Sequence, residues 1–242
     1  MLSDLEIACR QSHSERTILM KNKNNLFVSG ISGLLVMILI VLVRFIDVRP
    51  IGPEGTSIGL SRLNGFFFRI SGVNILWYHI TDWLGVAAIL VAFLFAMAGF
   101  VQLIKRRSIL KVDREILALG GLYIVVIGLY VLFEIVIVNY RPIIMPDGIH
   151  PEASFPSSHT MLVCVIMGSA IMLIGKYVKE KQLCRVLRGF YSAIIGITVI
   201  GRLIAGVHWF TDIVGGILIS IFLLSLFSEV LKRTRRNTIE GK

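Results

Sequence analysis

Read as a string of apolar and polar positions, the chain is a series of long apolar blocks divided by short polar segments. Runs with few or no charges cover 26–43, 84–104, 116–138, 157–175, 190–201 continuing past Arg202 to 207, and 213–228. A helix rises 1.5 Å per residue, so about 20 apolar residues cross the hydrocarbon core of a bilayer. The pattern predicts six membrane-crossing helices, the shorter two borrowing flanking residues. No fixed-period repeat and no Pro/Ser-rich linker breaks the series, so the expectation is an all-α, polytopic membrane protein: a six-transmembrane-helix bundle forming one domain over 1–242.

Composition supports the same solvent. The chain is 55% hydrophobic and its mean hydropathy is +0.81, above what a soluble domain carries. A net charge of +10 suggests nucleic acid in a soluble protein, but here the cations sit between alternate spans. Arg10, Arg16, Lys21 and Lys23 precede the first span. Lys105, Arg106, Arg107, Lys111 and Arg114 join the second to the third, and Lys176, Lys179, Lys181, Arg185 and Arg188 join the fourth to the fifth. Lys232, Arg233, Arg235, Arg236 and Lys242 follow the last. By the positive-inside rule all four segments are cytoplasmic. Both termini are then inside, 1–25 as a cytoplasmic arm and 232–242 as a basic cytoplasmic tail, which requires an even number of spans, and no nucleic-acid partner is expected.

The first apolar run follows a polar arm and lacks a small-residue cleavage signature, so it reads as a retained helix. Cys9 and Cys184 fall on the inner side and Cys164 within a span, which leaves no outer disulfide. On the outer side, residues 44–83 read as a long loop, with Pro50, Gly52, Pro53, Gly55 and Gly59 followed by Phe66, Phe67, Phe68, Trp77, Tyr78 and Trp83. Aromatic residues of this density fit a segment at headgroup depth. The second outer connection, 139–156, holds Pro142, Pro146, Pro151 and Pro156 and is a shaped loop rather than a helix. The third, about 203–211, is short.

Ionisable groups near spans cost about 2.5–3.5 kcal/mol each on insertion scales and mark function by default. Glu134, Arg141, His159, Arg202, His208 and Asp212 all fall at outer ends of the third to sixth spans. His208 and Asp212 are four apart, so on one helix face the carboxylate accepts a bond from one imidazole nitrogen and leaves the other as nucleophile or base. Ser157 or Ser158 caps the fourth span, whose first amides form an anion site. Arg141 and Arg202 present planar forks that suit phosphoryl oxygens. Two arginines, a helix start and two histidines describe a phosphoryl-transfer site that needs no metal and no cofactor.

In order and spacing these residues resemble the type 2 phosphatidic acid phosphatase superfamily of membrane lipid phosphatases. Its signatures read K-x6-R-P, P-S-G-H and S-R-x5-H-x3-D; here they stand as Glu134 through Arg141-Pro142, Pro156-Ser157-Ser158-His159, and Gly201-Arg202 with His208 and Asp212. The resemblance implies an active site at the extracytoplasmic helix ends, within reach of a lipid headgroup. It implies that His208 attacks phosphorus, Asp212 orients it, and His159 protonates the leaving oxygen. Arg141, Arg202, Ser157 and Ser158 then bind the phosphate. The implied substrate is a membrane lipid phosphate such as undecaprenyl diphosphate, phosphatidic acid or phosphatidylglycerol phosphate, and the implied location a bacterial cytoplasmic membrane. A phosphotransferase with the same phosphohistidine, a transporter and a non-catalytic lipid-binding protein are the other readings.

Three positions depart from the signatures. Ser158 replaces a glycine and keeps the amide. Gly201 replaces a serine and removes one phosphate donor. Glu134 puts a carboxylate where the family has a cation; seven residues before Arg141, it shares roughly that residue's helix face, and it pairs with Arg141, meets a cationic part of the substrate or serves only the structure of the third span.

Overall fold

Backbone groups in hydrocarbon must be satisfied within their own segment, and each long apolar run accordingly forms a helix. A computed structural model describes residues 2–145 and 148–240, the side chains of 2–23, 235 and 237–240 excepted. Among the described residues there are seven α-helices and no named strand: α1 (Leu2–Phe45), α2 (Ser61–Ser71), α3 (Ile75–Arg106), α4 (Arg114–Ile135), α5 (Ser158–Tyr177), α6 (Lys181–Ala205) and α7 (Phe210–Glu240). Six of them contain stretches long and apolar enough to cross a membrane, so the chain is an integral membrane protein. The cations of the N-terminal arm, together with Cys9, Arg235, Pro146 and Lys242, lie outside the described residues or side chains. Cys164 and Cys184 are free and buried.

The bundle is built around α5, which packs against α3, α4, α6 and α7. Two-thirds of its apolar stretch is buried, against less than a quarter for α1, α3, α4 and α6. Helix α1 lies along α7 and turns Phe27, Leu34 and Met37 outward, as lipid-facing residues do. Far from the site, Lys176 joins Asp113 at 3.0 Å and Glu115 at 2.8 Å, and Arg106 joins Asp113 at 2.9 Å. These pairs tie the α3–α4 connection to the end of α5.

Helix boundaries depart from the apolar runs in two places that matter. The long outer loop is shorter than expected, because α2 fills part of it and α3 begins at Ile75, nine residues before its run does. Asn74 starts α3 by accepting a bond from the Trp77 amide at 3.2 Å, a cap that satisfies one of the orphan donors of a helix start. His79 and Asp82 interrupt the apolar pattern and hid this first part of the helix. At the other boundary, α4 stops at Ile135, so Glu134 and Arg141 do not share a helix.

The outer turns are pinned to one another. The Asn74 amide donates to the Ala205 carbonyl at 3.1 Å. Gly206, which ends α6 at φ +66°, approaches the turn after α2 so closely that a Cβ would lie 1.8 Å from the Gly72 carbonyl oxygen. Only glycine meets both demands. Buried Asn64 on α2 donates to Thr211 Oγ1 at 3.0 Å and accepts from the Thr211 amide at 3.1 Å. The starts of α3 and α7 and the end of α6 are thereby held in register.

Candidate active site

The connection from α4 to α5 carries the first part of the site. Its prolines exclude a helix, and it folds back on itself through an antiparallel bridge between Tyr140 and Ala153. The Arg141 amide donates to Glu152 O at 3.0 Å and the Ser154 amide to Asn139 O at 2.9 Å. This pinch delivers Arg141 and Ser154 together. Arg141 is held by Glu152, whose Oε2 lies 3.1 Å from Nε, and it donates to the Val207 carbonyl at 3.4 Å. Glu152, and not Glu134, is therefore its partner. Glu134 is exposed and lines a small cavity with Tyr130, Arg141, Ser154, Ser158 and His208.

Ser157 caps α5: its hydroxyl accepts from the Thr160 hydroxyl at 3.0 Å, and its own amide donates to the Asp212 carbonyl at 2.9 Å. That hydroxyl is committed to the helix. Ser158 is the one that faces the cavity, so the two serines of the motif divide the labour of cap and lining.

His208 lies in the turn before α7 and is only 3% exposed. Its Nδ1 is 3.1 Å from both the carbonyl oxygen and the hydroxyl of Ser154. A carbonyl can only accept, so Nδ1 carries the proton and Nε2 keeps its lone pair. Burial, with the positive charges of Arg141 and Arg202 nearby, holds the His208 pKa well below its ordinary value of 6.5. The ring is neutral at neutral pH.

The expected direct His208–Asp212 contact is absent among the described hydrogen bonds, because α7 begins at Phe210 and leaves His208 outside the helix. Asp212 instead accepts from the Ser154 hydroxyl, from the Trp209 amide at 2.9 Å and from Asn139 Nδ2 at 3.5 Å. The carboxylate reaches the imidazole through Ser154. Nothing in the sequence marks this serine, which stands in a loop with no helical or strand periodicity to give it a face.

Arg202, near the end of α6, is fully buried with its guanidinium 5.2 Å above the Tyr78 ring. It pairs with Asp82 of α3. The same carboxylate oxygen lies 3.1 Å from His159 Nε2. Asp82 was the other residue missed, because it fell within the stretch read as loop; the available signal was a lone carboxylate in the first turns of an apolar helix. Asn139 Oδ1, Arg202 Nε and His208 Nε2 are all buried and find no hydrogen-bond partner among the described residues, while Arg141 Nε meets Glu152. One N–H, on Arg202, and one lone pair, on His208, thus remain for something that is not protein.

The family model of the PAP2 superfamily matches residues 85–236. Phosphatidylglycerophosphatase B of Bacillus subtilis (strain 168) is 32% identical over 103 residues, which cover 40% of this chain and 49% of that protein; the chain spans about half the length of this curated relative. Among solved structures, the crystal structure of the first transmembrane PAP2 type phosphatidylglycerolphosphate phosphatase from Bacillus subtilis matches with a TM-score of 0.63. It covers 86% of this chain and 97% of the other at 15% identity, a likeness of fold. The matched residues amount to well over half of the chain and contain both histidines, both arginines and Asp212, and the chain belongs to the PAP2 superfamily.

Proposed function

We propose that this chain is a lipid phosphate phosphatase that works through a phosphohistidine. The observation that carries the reading is the pair of buried nitrogens with no hydrogen-bond partner among the described residues, Arg202 Nε and His208 Nε2, with the Arg141 guanidinium lining the same cavity as His208. Two guanidinium donors and one lone pair are what a phosphoryl group requires: oxygens held by the donors, phosphorus met by the nucleophile.

In the first half-reaction the Nε2 lone pair of His208 bonds to phosphorus and the bond from phosphorus to the leaving oxygen breaks, while His159 gives that oxygen a proton. In the second, a water loses a proton to His159 and attacks the phosphohistidine, releasing phosphate and restoring His208. Arg141, Arg202 and the first amides of α5, at Ser158 and His159, stabilise the charge on the phosphoryl oxygens in both transition states. Asp212 keeps the Ser154 hydroxyl, and through it the His208 ring, in the productive orientation. No step calls on a metal or cofactor.

The names of the relatives favour phosphatidylglycerol phosphate as the first substrate to try; undecaprenyl diphosphate and phosphatidic acid share the chemistry. The charge pattern supports an extracytoplasmic site, cytoplasmic termini and a bacterial cytoplasmic membrane, with the whole chain acting as a single membrane-embedded domain. Glu134, which lines the cavity wall and has no ion pair among the described residues, meets a hydroxyl or cationic group of the substrate beside its phosphate.

The test is phosphate release from a lipid panel in detergent micelles with chelator present, using the wild type, His208→Ala and Arg202→Ala. Release by the wild type alone is expected. Release that survives in both variants refutes the mechanism, release abolished by chelator points to a metal, and transfer to a second lipid in place of water identifies a phosphotransferase.

A further inference from the structure

Asp82 lies three residues before the part of the chain that the family model matches, yet it contacts two of the site's central groups. One carboxylate oxygen, Oδ1, takes both Arg202 Nη2 and His159 Nε2. Its side chain is one-third exposed, so it faces the site rather than the core.

The reach of Asp82 depends on two glycines. At Gly201 a Cβ would lie 2.6 Å from Thr81 Cγ2 and 2.9 Å from the Trp77 ring, so α3 and α6 approach here as closely as they do only because no side chain separates them. Asp82 follows Thr81 directly, and Arg202 follows Gly201. At Gly85, one turn along from Asp82, a Cβ would meet the His159 ring at 3.2 Å. The glycine that stands in place of the signature's serine therefore has a structural counterpart: it removes a hydroxyl and admits a carboxylate from α3.

We propose that Asp82 is a positioning residue that holds His159 and Arg202 through one oxygen, and that Gly201 is the feature of α6 that admits it. The proposal rests on the phosphatase reading for its chemistry. A carboxylate only accepts, so a proton sits on His159 Nε2 and is directed at Asp82. That leaves Nδ1 as the nitrogen that gives a proton to the leaving oxygen and takes one from water. The Asp82 charge faces the positive charge that the imidazolium carries before it protonates the leaving oxygen and regains when it takes a proton from water, the relation of carboxylate to histidine in a catalytic triad. Arg202 is gripped at Nη2, which fixes the plane of the guanidinium and leaves Nε for the phosphate.

Two measurements on the full-length protein test this. The first needs no turnover: nitrogen-15 NMR of histidine-labelled protein in nanodiscs, with the His159 signals assigned through His159→Gln. Wild type is expected to show a protonated Nε2 at His159, and Asp82→Ala to shift the His159 signals while those of His208 stay in place. Unchanged His159 signals overturn the proposal. The second compares a lipid alkyl phosphate with nitrophenyl phosphate, whose leaving group departs without a proton. Asp82→Asn is expected to lose about 30-fold to 100-fold on the alkyl ester and about ten times less on the aryl ester, with Asp82→Glu recovering part of the difference. An equal loss on both means that Asp82 serves Arg202 alone and overturns the His159 role. Gly201→Ser restores the family's residue and is nevertheless expected to reproduce both the NMR shift and the leaving-group pattern; a fully active Gly201→Ser protein overturns the packing argument. If wild type releases phosphate from nothing, the phosphatase reading fails while the NMR result still decides the Asp82 contact.

Discussion

The two histidines of the site are the same side chain in opposite settings. His208 is buried in a turn, with Nδ1 bonded to Ser154 and a carboxylate one hydroxyl further away. His159 is about one-third exposed at the start of α5, with Nε2 directly against Asp82. The nitrogen that each ring spends on the protein decides what the other can do: His208 keeps Nε2 as a lone pair, and in the proposed mechanism His159 uses Nδ1 for proton exchange. In the proposed mechanism a direct carboxylate suits the ring that carries charge during turnover, whereas a carboxylate relayed through a hydroxyl fixes the orientation of the ring that attacks while neutral.

Breaking this division at the proposed nucleophile is expected to have the largest effect. His208→Ala is expected to reduce kcat by about 10⁴-fold or more, since removing the nucleophile of a covalent mechanism leaves only the residual clamp; stopped assays of phosphate release measure it. His159→Ala is expected to cost about 10²-fold to 10⁴-fold on a lipid alkyl phosphate, the range of a general acid, and less on an aryl phosphate. Equal losses on both esters would remove the distinction between the rings.

Ser154→Ala sharpens the comparison on the His208 side. It cuts the link to Asp212 while the Ser154 carbonyl still holds Nδ1, and the expected loss in kcat is about 5-fold to 100-fold, the cost of one buried hydrogen bond left unmade. If Ser154→Ala matches wild type while Asp212→Asn is inactive, the carboxylate acts by another route.

The pH profile tests the neutrality of His208. Its pKa is depressed by burial and by the arginines, so the neutral form persists as pH falls through 6.5 and protonates only at its lower folded value. The acidic limb of kcat/KM contributed by this ring is therefore expected well below pH 6.5. The smallest effect belongs to Glu134, an exposed carboxylate at the cavity wall: Glu134→Gln should change KM by about 5-fold or less with little change in kcat, the scale of an exposed charge. Comparing KM for headgroups with and without a donor beside the phosphate shows whether that change depends on the substrate.

Six helices were legible because the requirement they answer is local. Each run of about 20 apolar residues must satisfy its own backbone in hydrocarbon, and no other part of the chain affects that condition. Arg141, His159, Arg202, His208 and Asp212 were legible for a related reason: ionisable groups at span ends stand out against an apolar background, and their spacing matches a known set of signatures. The cap of α5 was read as Ser157 or Ser158, and it is Ser157.

What the tertiary structure alone decided is who meets whom. The spacing of His208 and Asp212 suggested a direct bond, but the helix starts between them and Ser154 takes the intervening place. The spacing of Glu134 and Arg141 suggested a pair, but α4 ends after Glu134 and the folded loop supplies Glu152. Asp82 was hidden because it fell in the stretch read as a loop, and its partners lie 77 and 120 residues away in the chain. Hydrophobic burial in a membrane is a property of each segment, whereas these contacts depend on the closeness of α3 and α6 at Gly201, which is settled only when the helices pack.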